Sequence, residues 1–164
     1  MNSLEALLYD VAHLFLWPVL LLILLALGYA FLVLGQFLFE AVQRRRGRHR
    51  SELAAVHARG AAISSDDLEL WILRRLEWLR ITARTAPMLG LVATMIPMGP
   101  ALLALTRNDA QAVGENLVVA FSAVILALVA ASIAFLVLTV RRRWLLEELR
   151  AIERAQAAAP AEAR

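Results

Sequence analysis

Three stretches of this chain, Leu14 to Phe39, Ala86 to Leu105 and Leu117 to Val140, contain no Asp, Glu, Lys, Arg or His. They run for 26, 20 and 24 residues, and a helix needs about 20 apolar residues to cross the hydrocarbon core of a bilayer. A soluble domain cannot hide three such blocks in 164 residues of which 61% are hydrophobic, because an ordinary globular chain is only about 45–50% apolar. The reading is all-α, with three membrane helices and no room beside them for a sizeable soluble domain. The absence of cysteine excludes a disulfide framework, a thiolate nucleophile and a Cys-ligated metal site.

The charges between the blocks orient them. All 17 basic side chains are arginine. Ala41 to Thr85 holds ten of them against five acids, and the tail after Val140 holds six, including the run Arg141, Arg142, Arg143. The start of the chain has Glu5 and Asp10 and no arginine, and Thr106 to Asn116 has only Arg107 beside Asp109 and Glu115. By the positive-inside rule the segment 40–85 and the C-terminal tail 141–164 are cytoplasmic, and residues 1–13 and 106–116 are external. The spans are then 14–39, 86–105 and 117–140. An acidic start and a long apolar run do not fit a cleaved signal peptide, so the first block is read as a retained helix, with Trp17 as an interfacial anchor and Pro18 in its first turn.

Helix is expected to extend inward from all three spans. Glu40 to Arg59 has only Gly47 to interrupt it, and Gly60 offers a stop. Ser64 with Asp67 forms a capping pattern with an Ile63 to Leu68 staple, after which Leu68, Trp71, Ile72, Leu76 and Leu79 recur at helical spacing and lead without a breaker into the second span. Trp71 and Trp78, seven apart, are expected to pack between the inner helices. No Gly or Pro interrupts Asn116 to Gln156, about 60 Å of helix, with an apolar stripe at Leu145, Leu149 and Ile152 and an Arg143 to Glu147 pair at i,i+4.

The spans carry no Asp, Glu, Lys, Arg or His, whereas a protein that relays protons through its own helices normally shows an intramembrane carboxylate or histidine. The second span also concentrates Pro87, Gly90, Pro97, Gly99 and Pro100 around one hydroxyl, Thr94. Proline frees backbone carbonyls that need other partners at membrane depth. Pattern alone allows two readings, a functional pore helix or a kinked helix packed through its small residues Gly90, Ala93, Gly99 and Ala101.

The residues from Leu76 read LEWLRITARTAPMLGLVA and continue TMIPMGPALLAL. This resembles the second membrane helix of the MotA/TolQ/ExbB proton channel family, where an A(S/R)TAP segment enters a GL(L/F)GT stretch. The third span followed by RRRW resembles that family's last helix and its basic inner end. Three spans with the N-terminus outside and a large inner loop fit the TolQ and ExbB branch. The resemblance covers roughly Leu68 to Leu149 and implies a ring-forming homo-oligomer, a pentamer in that family, in the cytoplasmic membrane of a bacterium or archaeon. It implies that the second and third helices line a pore around single-span ExbD/TolR-like partners that carry the essential aspartate. The translocated ion is then H+, with Na+ as the alternative, and no other cofactor is implied. The family's second-helix threonine maps onto Thr94. Its third-helix threonine falls near Val124, where Ser122 is the closest hydroxyl in sequence. Depth counted from the inner ends Ala86 and Val140 favours Ser132, because Thr94 and Ser132 each lie about 12 Å outward from them. Ala93 and Pro97 stand where glycines are usual in the family.

The function expected on this footing is the channel-forming subunit of a proton-motive-force-driven complex, not an enzyme. The alternative is a non-conducting scaffold or assembly subunit whose second span only packs. The arginines closest to the bilayer, Arg44, Arg45, Arg46, Arg141, Arg142 and Arg143, are read as a juxtamembrane anchor touching anionic lipid rather than as a nucleic-acid site. His49, Glu52 and His57 lack the spacing of a metal site. Ser64 with Asp66 and Asp67 is explained by capping and not by catalysis.

Overall fold

The computed structural model describes Leu7, Asp10 and Val11 together with residues 13–46 and 65–162. Within these the chain forms α1 (Leu16–Arg45), α2 (Ser65–Arg75), α3 (Glu77–Thr106) and α4 (Ala110–Glu162). Three helical stretches are long and apolar enough to cross a membrane: Leu16–Arg45, Asp67–Thr106 and Ala110–Arg154. The expected capping residues Ile63 and Ser64, and the stalk from Gly47 to Gly60, lie outside the described residues.

The passage from α2 into α3 is the near-continuous rod the sequence predicts. Leu76 departs slightly from helical geometry, with φ −98° and ψ 0°, yet Leu76 N still donates to Ile72 O at 3.2 Å and Arg80 N to Leu76 O at 3.0 Å. Pro87, Pro97 and Pro100 all sit inside α3 without ending it. Each removes one N–H and so leaves a carbonyl four residues earlier without its usual partner.

The turn from α3 to α4 is much tighter than the sequence boundaries 106–116 suggest. Only Arg107, Asn108 and Asp109 connect the helices. Asn108 takes φ 53°, a left-handed conformation that asparagine tolerates better than most side chains. Asp109 then caps α4, its Oδ1 accepting from Ala112 N at 3.0 Å. The polar residues Gln111, Glu115 and Asn116, which look like loop in sequence, form the first turns of a 53-residue helix, about 80 Å long at 1.5 Å per residue.

α3 and α4 pack side by side along their apolar lengths, and the seam between them is built from small residues. α3 buries Ala86, Gly90, Ala93, Pro97, Ala101 and Ala104, while α4 buries Ala120, Ala123, Ala127, Ala130, Ala131 and Ala134. Spacings of three and four keep each set on one face, and small side chains let two backbones approach closely where lipid gives no hydrophobic drive. Gly90 is the tightest point: a methyl group there would lie 2.9 Å from Ala127 Cβ and 3.4 Å from Val124 Cγ2. Gly99, grouped with these residues by composition, is exposed, because two positions on from Pro97 rotate it away from the seam.

α1 lays Val19, Ile23, Ala30 and Val33 against this hairpin. Val19 and Ile23 meet Ala93, Ala123 and Ala127, and Ala30 meets Ala86, Ala130 and Ala131. At the arginine-rich end Val33 joins Leu68, Ile72, Leu76, Leu79, Ala134, Val137 and Leu149, with Leu145 and Ile152 packed against them. The periodic apolar stripes of α2 and of the α4 tail therefore face each other, as their spacing predicts. Trp71 joins this cluster, but Trp78 is 69% exposed.

Candidate functional site

Thr94 sits one residue past the seam residue Ala93 and is half-buried at the edge of the α3–α4 contact. Its Oγ1 donates to Leu91 O at 2.7 Å, so the hydroxyl proton is held by its own helix. The oxygen keeps its acceptor lone pairs, which can accept a hydrogen bond from water or from a protonated carboxyl. The carbonyls that Pro97 and Pro100 leave without N–H partners belong to Ala93 and Ile96, so Thr94 does not satisfy them. α3 thus concentrates a hydroxyl and under-used carbonyls within about one turn.

The two candidate serines of α4 occupy different levels. The seam fixes the register, with Ala86 against Ala130 and Ala131, Gly90 facing Val124 and Ala127, and Ala93 with Ala123. Thr94 is therefore level with about residue 122, and Ser132 lies about 15 Å further toward the arginine-rich end. The level counting that pairs Thr94 with Ser132 takes Ala86 and Val140 as equivalent inner ends, and the structure does not align them. α4 stays uncharged for roughly nine residues beyond the point opposite Ala86. Ser122 is at the level of Thr94 but is exposed, on the side of α4 turned away from α3. Ser132 is also exposed, with Oγ donating to Leu128 O at 2.8 Å. The structure brings neither serine to Thr94 within one chain.

Among the described helix residues Leu16–Phe39, Ala86–Leu105 and Leu117–Val140 there is no Asp, Glu, Lys, Arg or His, and no cluster able to hold a metal occurs among the described residues. The charges begin abruptly at the arginine-rich end, where they are organised in a way the sequence does not reveal. Glu40, the first charge after α1's apolar run, takes Arg141 on both Nε and Nη2 at 3.1 Å and Arg44 at 3.4 Å. Arg44 also pairs with Glu148 and lies 4.6 Å from the centre of the Trp144 ring, which stacks on Phe37 at 5.3 Å. The four charged side chains are only 16–24% exposed. This cluster bolts α1 to α4 just beyond the apolar core. A cation over an aromatic face adds to the ion pairs when partly desolvated.

The six arginines of the expected anchor therefore divide. Arg44 and Arg141 are bound into the Glu40–Glu148 cluster. Arg45, Arg46, Arg142 and Arg143 are exposed, and Arg143 makes its predicted i,i+4 pair with Glu147 at 3.6 Å, both side chains well exposed. Glu40, Glu148, Phe37 and Trp144 escaped sequence reasoning. Their one available signal is that Glu40 to Arg141 and Arg44 to Glu148 are separated by 101 and 104 residues, nearly the same offset, as two parallel helices require.

Comparison with curated proteins and with solved structures finds no match. The family model described as the MotA/TolQ/ExbB proton channel family matches residues 32–154. That range takes in the arginine-rich half of α1, the α3–α4 seam, Thr94 and the charged cluster, which is most of the chain. With three helices able to span a membrane and a match of that extent, the chain belongs to the MotA/TolQ/ExbB proton channel family.

Proposed function

We propose that this chain is the channel-forming subunit of a proton-motive-force-driven membrane complex of the TolQ/ExbB type, with the proton-binding aspartate supplied by a single-span ExbD/TolR-like partner. The observation that carries the reading is the family match over residues 32–154 joined to spans without an Asp, Glu, Lys, Arg or His. A channel built from such helices needs its protonatable group from another polypeptide, because a charge at mid-bilayer costs at least about 2.5–3.5 kcal/mol without a partner. In this account several copies, five by family likeness, form a ring with α3 and α4 toward its axis. Small residues along the hairpin, the long exposed apolar faces of α3 and α4 and the acidic-to-basic polarity of the chain support that arrangement. The arginine-rich end lies in the cytoplasm and the tight turn at Arg107–Asp109 outside.

Thr94 is assigned the pore-side role. While its proton stays on Leu91 O, its oxygen accepts a hydrogen bond from the partner's protonated carboxyl or from a bridging water. Loss of the carboxyl proton breaks that bond and repels the aspartate from the Thr94 oxygen. Ser122, level with Thr94 and on an outer face of α4, is the second hydroxyl that a neighbouring copy could present, and Ser132 is placed deeper toward the inner mouth. Thr94→Val removes the hydroxyl at nearly constant volume. It is expected to leave assembly intact and to reduce coupled activity about two- to tenfold, the worth of one hydrogen bond between neutral groups, about 0.5–1.5 kcal/mol. Wild-type activity in Thr94→Val would refute the assignment and favour the packing role of α3.

A further inference from the structure

We propose that a groove between α3 and α4 binds the headgroup of an anionic phospholipid. The groove, about 790 Å³, opens at the arginine-rich end, and no α1 residue lines it. Arg80 and Arg84, one turn apart, come from α3, and Arg142 and Arg143 come from α4. No acidic residue lines it. Among the described residues only Arg143 of the four has a carboxylate within 4 Å, the exposed Glu147. The contrast with the other side of the bundle is sharp, since there Glu40 and Glu148 neutralise Arg44 and Arg141. Four guanidinium groups facing one cleft repel one another unless an anion enters, and guanidinium matches phosphate geometry with paired donors.

The wall of the groove favours a lipid over a soluble anion. The seam register sets Arg84 beside α4 residues around 132 to 135, where α4 is still apolar and remains so to Val140. Phe135, Leu138 and Leu146 line the same groove as the arginines. Phe135 is 63% exposed, and the apolar surface continues outward over Leu128, Leu91 and Met88, all exposed. A phosphate held by the arginines would leave its acyl chains lying on this surface. Neither inorganic phosphate nor an acidic peptide would need it. The site is built from residues of one chain.

The test is native mass spectrometry of the full chain in neutral detergent, titrated with phosphatidylglycerol or phosphatidylcholine of identical acyl chains. Wild type is expected to retain phosphatidylglycerol in clear preference. Arg80→Gln with Arg84→Gln should lower that binding roughly twenty-five-fold, about five-fold for each arginine near an anionic headgroup. The pair Arg80→Lys with Arg84→Lys should keep most of it. Arg150→Gln with Arg154→Gln, which removes two exposed charges further along α4 and outside the groove, should leave it unchanged. Equal binding of the two lipids, or an equal loss in the Arg150 and Arg154 control, would overturn the proposal. So would displacement of the lipid by inorganic phosphate or by a polyglutamate peptide at matched concentration, the latter pointing to an acidic protein segment as the occupant.

Discussion

Replacing Gly90 by alanine adds one methyl group to the closest point of the α3–α4 seam. That carbon would stand 2.9 Å from Ala127 Cβ, whereas non-bonded carbons settle at about 3.5–4.0 Å. Neither atom ends a flexible side chain, so the helices must separate by a few tenths of an ångström to about one ångström. Overpacking of this kind costs about 1–3 kcal/mol, and alanine's better helix propensity returns at most about 1 kcal/mol. Gly90→Ala should therefore destabilise the bundle by about 1–2 kcal/mol. Two companions make the reasoning specific. Gly28 has no atom within 4 Å of an added methyl, so Gly28→Ala should be neutral or slightly stabilising. Adding Ala127→Gly to Gly90→Ala moves the methyl from one helix to the other and should recover most of the loss, a coupling of about 1 kcal/mol or more. The assay is loss of helical signal on titration from mild detergent into sodium dodecyl sulfate. The reasoning fails if Gly90→Ala costs no more than Gly28→Ala, or if Ala127→Gly does not rescue it.

Two further changes probe the ends of the bundle. Glu40→Gln strips Arg141 of its carboxylate and weakens the hold on Arg44, so in the same titration it should cost about 1–2 kcal/mol, between the values for exposed and buried pairs; a change below about 0.3 kcal/mol would show that the cluster does not fasten α1. Asn108→Val forces a β-branched residue into φ 53° and should cost about 1–2 kcal/mol, while Asn108→Gly should be neutral or better; equal stability of the two would contradict the left-handed turn.

The helices were legible in the sequence because the bilayer imposes the simplest rule available, an uncharged run of sufficient length, and Leu14–Phe39, Ala86–Leu105 and Leu117–Val140 obey it. The inner packing was legible for a similar reason: Leu68, Ile72, Leu76 and Leu79 repeat at the helical period, as do Leu145, Leu149 and Ile152. What periodicity cannot supply is the relative level of two helices. Equating Ala86 with Val140 assumed that charge begins at one depth on every helix. Instead α3 carries Arg84 and Arg80 alongside still-apolar α4, which misplaced Ser132 and concealed the groove. The same blindness applies to pairing. Arg44 and Arg141 read as lipid-facing because Glu40 and Glu148, more than a hundred residues from their partners, become neighbours only when α1 and α4 lie parallel in register. The segment 106–116 read as loop because its polar composition suits a loop, yet Asp109 caps a helix that absorbs most of it. For the candidate site, the proline-rich context of Thr94 was visible in the chain, whereas its donation to Leu91 O and its distance from both serines required coordinates.

The central claim, that these helices conduct only with a carboxylate from a partner, is tested most directly by proton flux in reconstituted vesicles. The chain alone should show little flux above background, since its described spans hold no Asp, Glu, Lys, Arg or His. Adding a single-span partner with an intramembrane Asp should create flux, and Asp→Asn in that partner should abolish it without dissolving the complex, because an amide keeps the volume but cannot alternate between charged and neutral forms. Robust proton flux through the chain alone would contradict the account and assign the path to water and to the carbonyls that Pro97 and Pro100 release.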